Sequence, residues 1–163
     1  MALTTTVSVD LRANQTKALD QRVVTDPILM QLAATLADGT GLNAANKVFY
    51  DERTLTTGAT EDLDLAGVLT DSFGTTLTFT KIRLIAIKAD AANTTTITVG
   101  NGTNPFLLFG SGAHTIALDA DSFFMVIKPS VAAMAVTAAT GDILKMANAA
   151  GASATYRILV VGE

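Results

Sequence analysis

The chain has 163 residues, 49% of them hydrophobic and 16% charged, with a net charge of −4. This length predicts one domain, and the scattered Lys and Arg residues argue against a nucleic-acid partner. Cysteine is absent, which excludes disulfides and thiolate metal sites, and no apolar run approaches the roughly 20 residues of a membrane helix. We therefore expect a soluble protein with no membrane partner. Its low charge indicates either a surface covered by other subunits or a neutral surface rich in Ala and Thr.

Residues 1–25 form the first predicted unit, an extended N-terminal arm. The alternation of Val7, Val9 and Leu11 is weak, and no strand partner is obvious nearby. Such a segment either adds to a sheet edge or lies on a neighbouring subunit. The alternative is a loosely ordered tail.

Residues 26–46 are predicted to contain one short helix and a connection. Asp26 can cap the helix, and Pro27 suits its first position because no amide donor is needed there. Gly39 or Gly41 would end it. Apolar side chains recur at helical spacing and must pack on the sheet or on a partner chain; they are Ile28, Leu29, Leu32, Ala33 and Leu36.

Residues 47–163 contain short strand patterns separated by Gly, Asn and Asp. These patterns predict an all-β unit, an antiparallel β-sandwich of jelly-roll type. The candidate strands are KVFYDERTL, TEDLDLAGVL, 82–87, 94–99, 106–109, 115–118, 122–127, 135–138, 143–147 and 155–161.

The stretch from Thr75 to Ala89 is predicted to organise this core. Leu77 and Phe79 share a face, but continuing that phase would bury Lys81 and Arg83. We therefore expect a break or bulge near Lys81, followed by a central strand. Arg83 then lies inside an apolar strand and requires a partner or a route to water.

Catalytic and metal-binding patterns are weak. His114 is the only histidine and is assigned to a surface loop, which disfavours a catalytic triad or a histidine metal cluster. Asp62 and Asp64 alternate with leucines and are expected on the wet face of a strand. We predict no catalytic residue, no cofactor and no metal site, and hence a protein that is not an enzyme.

The order of motifs resembles a family of small virion proteins of tailed bacteriophages. The resemblance is carried by GTGLNAANKVFYDERTL, by ATEDLDLAGVLTDSFGTTLTFTKIRLIAIKA and by the ending TYRILVVG. It implies a head decoration (cement) protein or a minor structural protein. The expected place is the outer surface of the capsid, reached after assembly in the host cytoplasm.

The resemblance implies the major capsid protein as partner and a homo-oligomer, with a trimer favoured. The arm and helix supply the candidate partner-binding residues, which are Val7, Val9, Leu11, Ile28, Leu29, Leu32 and Leu36. The alternative is a minor tail or fibre protein, including a receptor-binding module that reads glycan through the loop 100–105.

Overall fold

The structure, a computed structural model, describes residues 2–163 and contains only β-strands as regular secondary structure over that range. The all-β prediction is confirmed. The strands are β1 (Thr5–Leu19), β2 (Arg22–Asp38), β3 (Ala44–Ala45), β4 (Lys47–Leu55), β5 (Thr60–Asp64), β6 (Lys81–Ala89), β7 (Ile97–Gly100), β8 (Thr115–Leu118), β9 (Phe123–Ile127), β10 (Met134–Ala135), β11 (Ile143–Asn148) and β12 (Ala154–Gly162).

Two antiparallel sheets form the body of the protein. The central sheet runs β4–β12–β6, and both β9 and β10 pair with the other edge of β6. The second sheet has the order β5–β11–β7–β8. Side chains of both sheets meet in one core, for example Ile85 and Ile158 of the central sheet with Leu63 and Leu144 of the second.

Strands β1 and β2 form a long antiparallel hairpin. Their register runs without interruption from Thr5 opposite Leu36 to Leu19 opposite Arg22, and Asp20 and Gln21 make the turn. At the opposite end, β3 pairs with β2 in parallel through residues 37–38. The N-terminal segment is therefore extended, as predicted, but its strand partner is the segment directly after it.

The predicted helix over residues 26–38 is wrong, because this segment lies within β2. The same residues also alternate, with Ile28, Met30, Leu32, Ala34 and Leu36 on one face. A lone helix of this length leaves its apolar stripe uncovered, whereas β2 gains a cross-strand partner at fifteen positions of β1. Pro27 is tolerated because a hairpin strand has a free edge where no amide donor is needed.

The central stretch is organised largely as predicted. Leu77 and Phe79 are buried in an irregular lead-in segment, and the strand begins at Lys81. The register with β12 then slips, since Val161 faces Leu84 while Gly162 faces Ile82. Arg83 is thus the extra residue of a β-bulge, and the bulge changes which residues face the core. Gly162 is required here, because a Cβ would lie 2.2 Å from the Lys81 carbonyl oxygen.

One predicted strand, 106–109, is absent. Phe106 is buried and donates its backbone N–H to the Ile143 carbonyl, but the chain then turns, with Leu108 N–H bonded to the Phe106 carbonyl. Tight turns of this kind do not propagate a ladder. The other candidate strands overlap observed strands, although TEDLDLAGVL continues five residues beyond β5 and 135–138 shares only Ala135 with β10.

A partly buried polar cluster joins the two sheets. The Tyr156 hydroxyl of β12 donates to the Glu61 carboxylate of β5, and Arg53 Nη1 of β4 lies 2.7 Å from Glu61 Oε2. Burial and the bond to Glu61 raise the pKa of Tyr156 above its usual 10.0. The cluster therefore pairs polar groups that would otherwise be costly to desolvate.

We expect Tyr156→Phe to lower the free energy of unfolding by about 1–2 kcal/mol, because it leaves a lone pair of Glu61 unsatisfied. Denaturant titration at neutral pH measures this. Because the pKa of Tyr156 is raised in the folded state, the stabilisation is fully present below pH 10.0 and is lost as the pH rises further. The unfolding free energies of wild type and variant should therefore converge at alkaline pH. Equal stability at neutral pH would contradict the assignment.

Candidate functional site: the projecting hairpin

The β1–β2 hairpin has one apolar face. Residues directly opposite each other in an antiparallel pair share a face, so the register assigns every side chain. Odd-numbered residues of β1 therefore lie on the same face as even-numbered residues of β2. We define the apolar face by Val7, Val9, Leu11, Ala13, Ile28, Met30, Leu32, Ala34 and Leu36.

The opposite face of the hairpin is mostly polar. Asp10 lies opposite Gln31, whose Nε2 donates to Asp10 Oδ1 at 3.0 Å. Arg12 lies opposite Leu29, and the large aliphatic residues on this side of the projecting stretch are Leu29 and, next to the turn, Val23. The two faces therefore differ in chemistry along the same pair of strands.

The root of the hairpin packs on the outer face of the central sheet. Leu36 is fully buried in a small cluster with Ala45, Leu84 and Val161, and Val7 packs against that cluster. The other partly buried side chains that pack against this cluster are Leu3, Val48, Met125, Ile127 and Leu159. The apolar face is thus already in use at its root, where it lies on this sheet.

Arg83 holds the root in place from inside the sheet. Its side chain is fully buried, its Nε donates to the Ala44 carbonyl at 3.1 Å, and its Nη1 donates to the Ser130 carbonyl. Its Nη2 lies 3.1 Å from Glu163 Oε2. The bulge directs this side chain away from the main core and toward β3 at the hairpin root. The sequence predicted that Arg83 needs a partner, and Glu163 is that partner.

Glu163 binds three donors in the same place. Besides Arg83, it accepts from Lys81 Nζ at 2.9 Å and from the Gly41 backbone N–H at 2.7 Å. Burial acts to raise the pKa of this carboxyl, but the bonds from Lys81, Gly41 and Arg83 outweigh burial and lower the pKa below 4.5. The carboxylate thereby connects the segment after β2 to β6.

Beyond the root, the hairpin projects into solvent. Every residue from 10 to 33 is exposed, including Leu11 (53%) and Leu32 (48%) of the apolar face. At about 3.4 Å per residue, this projecting part extends roughly 35 Å beyond the root. The apolar face covers the half of this projection nearest the root, up to Ala13 and Ile28, and an apolar face without a covering layer is typical of an interaction surface.

The outer face of the central sheet has three rows of side chains, each row crossing β4, β12, β6 and β9. The first row lies at the hairpin root. The second row is an open apolar strip, and the third carries charged side chains and Phe123. In that strand order the rows are Val48–Val161–Leu84–Ile127, Tyr50–Leu159–Ala86–Met125 and Glu52–Arg157–Lys88–Phe123.

The seven predicted partner-binding residues separate into three groups. Val7 and Leu36 lie at the root, where Leu36 is unable to reach a partner because it is fully buried. Val9, Leu11, Ile28 and Leu32 lie together on the apolar face, whereas Leu29 lies on the opposite face. Sequence reasoning missed Met30 and the strip led by Tyr50, although alternation from 28 to 36 already indicated Met30.

The other candidate sites show little organisation. His114 is exposed, and its Nδ1 lies 3.0 Å from the Phe109 carbonyl oxygen. Phe106, next to the predicted glycan loop, is buried, although a cavity of about 680 Å³ opens beside it and Pro105. Residues 2–163 include no group of three or more His, Asp or Glu able to hold a metal ion. Over the same residues, no helix is long and apolar enough to span a membrane.

Comparisons with protein-family models, curated proteins and solved structures found no match to this chain. The resemblance to phage virion proteins therefore stays a prediction from the sequence.

Two leucines of the apolar face should respond differently to truncation. Leu36→Ala at the root should cost about 2–5 kcal/mol of unfolding free energy, since it leaves a cavity in a closed cluster. Leu32→Ala should cost about 0.5 kcal/mol or less, because its side chain is exposed in the single chain. Denaturant titration of both variants at low protein concentration measures this, and equal costs would contradict a hairpin that projects.

The Glu163 carboxylate should make stability depend on pH. Because its folded pKa is lowered, its contribution is present above pH 4.5 and is lost as the pH falls through the folded pKa. Glu163→Gln should remove this component, so that the difference in unfolding free energy between wild type and variant shrinks on acidification. A difference that stays constant from pH 7 to pH 3 would show that the carboxylate does not hold the root.

Proposed function

We propose that this chain is a structural virion protein of a tailed bacteriophage, a capsid decoration (cement) protein. It binds the assembled head from outside, with the major capsid protein as partner, and stabilises the head through oligomeric and hairpin-mediated contacts. It performs no catalysis and uses no cofactor. A protein that binds only the assembled shell stabilises that shell by mass action, by about 2.7 kcal/mol at a hundredfold excess over Kd.

The observation that carries this proposal is the uninterrupted exposure of residues 10–33 in a hairpin with one apolar face. A single globular protein seldom leaves such a face uncovered, whereas a lattice-binding protein requires a long contact with its neighbours. The root of the hairpin is fixed by the buried Arg83–Glu163 pair, so the hairpin is presented in one direction. The resemblance of the sequence motifs to phage virion proteins adds independent support.

We further infer that the two body sheets form a sandwich of jelly-roll type. Their shared core and their mainly antiparallel pairing support this arrangement. Such a body offers broad sheet faces and short edges, which suits a protein that works by surface contact.

Reconstitution with purified heads that lack the protein tests this function. Wild-type protein should bind the outer surface and raise the temperature at which heads release DNA. A variant with residues 10–31 replaced by an Asn-Gly turn keeps Val9 opposite Leu32, a pair of the same hydrogen-bonding kind as Leu19 opposite Arg22 at the native turn, and it should fold but bind at least about tenfold more weakly. The Leu29→Asp variant, altered on the opposite face, is the control and should bind like wild type.

Immunogold labelling of whole virions tests the location. Label distributed over the head is the expected result. Label confined to the tail tip would overturn the decoration proposal in favour of the tail or fibre alternative.

A further inference from the structure

The chain exposes two apolar surfaces of matching length. The exposed apolar face of the hairpin extends over Val9–Ala13 and the paired residues 28–32, about 17 Å at 3.4 Å per residue. The open strip Tyr50–Leu159–Ala86–Met125 crosses four strands spaced about 4.8 Å apart, roughly 19 Å. Tyr50 is 60% exposed, and Leu159, Ala86 and Met125 are half-buried, with Leu159 and Met125 in contact with the root cluster on one side.

From these surfaces we infer that the projecting hairpin of one chain lies on the outer face of the central sheet of a second copy. The contact joins two different surfaces, so each chain gives a hairpin to one neighbour and receives one from another. Contacts of this head-to-tail kind close into a ring or continue as a filament. The inference deepens and rests on the oligomeric part of the proposed function.

The chain itself shows that this sheet face accepts this hairpin face. At the root, Leu36 and Val7 pack over the row that contains Leu84 and Val161. The open strip is the adjacent row on the same strands, two residues further along each strand. The intermolecular contact therefore repeats, with the next residues of both partners, a contact that already exists within the chain.

The charges beside the strip do not oppose this contact. Arg157 Nε lies 2.5 Å from Glu52 Oε2, and Lys88 Nζ lies 2.8 Å from Asp121 Oδ1. Since these charges are already paired within the chain, a neighbour does not have to supply counter-charges when it covers the strip.

The dimensions favour a closed ring over an isolated dimer. A globular chain of this length has a radius of gyration of about 15 Å and hence a diameter of roughly 40 Å, close to the hairpin's reach of roughly 35 Å. A footprint of roughly 17 by 10 Å is small against the 1,200–2,000 Å² of total surface that stable complexes bury. In a ring every chain makes the contact twice, and the second contact benefits from the high effective concentration set by the first.

Sedimentation velocity of the purified full chain, without phage particles, tests the inference. Wild type should sediment as a closed oligomer, with a trimer expected. Leu32→Asp on the apolar face and Tyr50→Asp on the strip should each weaken association by about tenfold or more, because each buries a charge in an apolar contact. Leu29→Asp is the matched control, since it adds the same charge to the same strand opposite Arg12, and it should leave association unchanged.

Mixing the two defective variants tests whether the contact is head-to-tail. The Tyr50→Asp chain keeps an intact hairpin and the Leu32→Asp chain keeps an intact strip, so one good contact forms between them and the ring does not close. Because a single contact lacks the second contact of the ring, we expect heterodimers in the mixture only at protein concentrations well above those at which wild type assembles, and monomers in each separate sample at the same concentrations. Mixtures that stay monomeric at those concentrations while wild type is a closed oligomer would overturn the contact.

Failure of this inference is distinguishable from failure of the proposed function. A wild type that stays monomeric at its solubility limit but decorates heads overturns the hairpin–sheet contact and leaves the function standing. If wild type forms a closed oligomer, the Leu32→Asp variant does not and the Leu29→Asp variant does, the contact is supported. This conclusion does not depend on whether the protein binds heads.

Discussion

The buried pair of Arg83 and Glu163 is the constraint on which the rest of the structure depends. A β-bulge directs Arg83 out of the main core, and its guanidinium bonds to β3, to the loop after β9 and to Glu163. Removing one member of such a pair leaves a buried charge without compensation, at a typical cost of about 3–5 kcal/mol. This network fixes the direction in which the hairpin leaves the body. A surface that recognises a partner requires that direction to be constant.

The hairpin and the sheet beneath it follow one rule of side-chain alternation. At the root the alternation buries Leu36 against Leu84, and farther out it leaves Leu11 and Leu32 in solvent. One apolar face is therefore buried at its root, where it stabilises the fold, and exposed farther out. The boundary between the buried and exposed parts lies where the hairpin passes beyond the body, close to Asp10 and Ala33.

The all-β character of the body and most of its strands were predictable from the sequence, whereas the hairpin was not. Strands such as β4 and β8 have alternating or β-branched residues bounded by turn signals, and both were found. The segment after Asp26 fits helical spacing and alternation equally well, and the turn at Asp20–Gln21 lacks the glycine that signals a tight hairpin. The need of Arg83 for a partner was evident, but Glu163 lies 80 residues away and only the fold brings it near. For the same reason, Leu29 was grouped with residues of the opposite face, and the strip around Tyr50 was missed.

The continuous register of the hairpin has a consequence for how this protein can vary among relatives. Adding or removing one residue in a single strand between the root and the tip would turn every side chain beyond that point to the other face. The apolar face would then end midway, although composition and hydropathy stay the same. Homologous chains should therefore gain or lose length here as matched pairs of residues, one from each strand around Asp20–Gln21. Insertions or deletions of a single residue should be confined to the turn, where they do not change which face the strand side chains occupy.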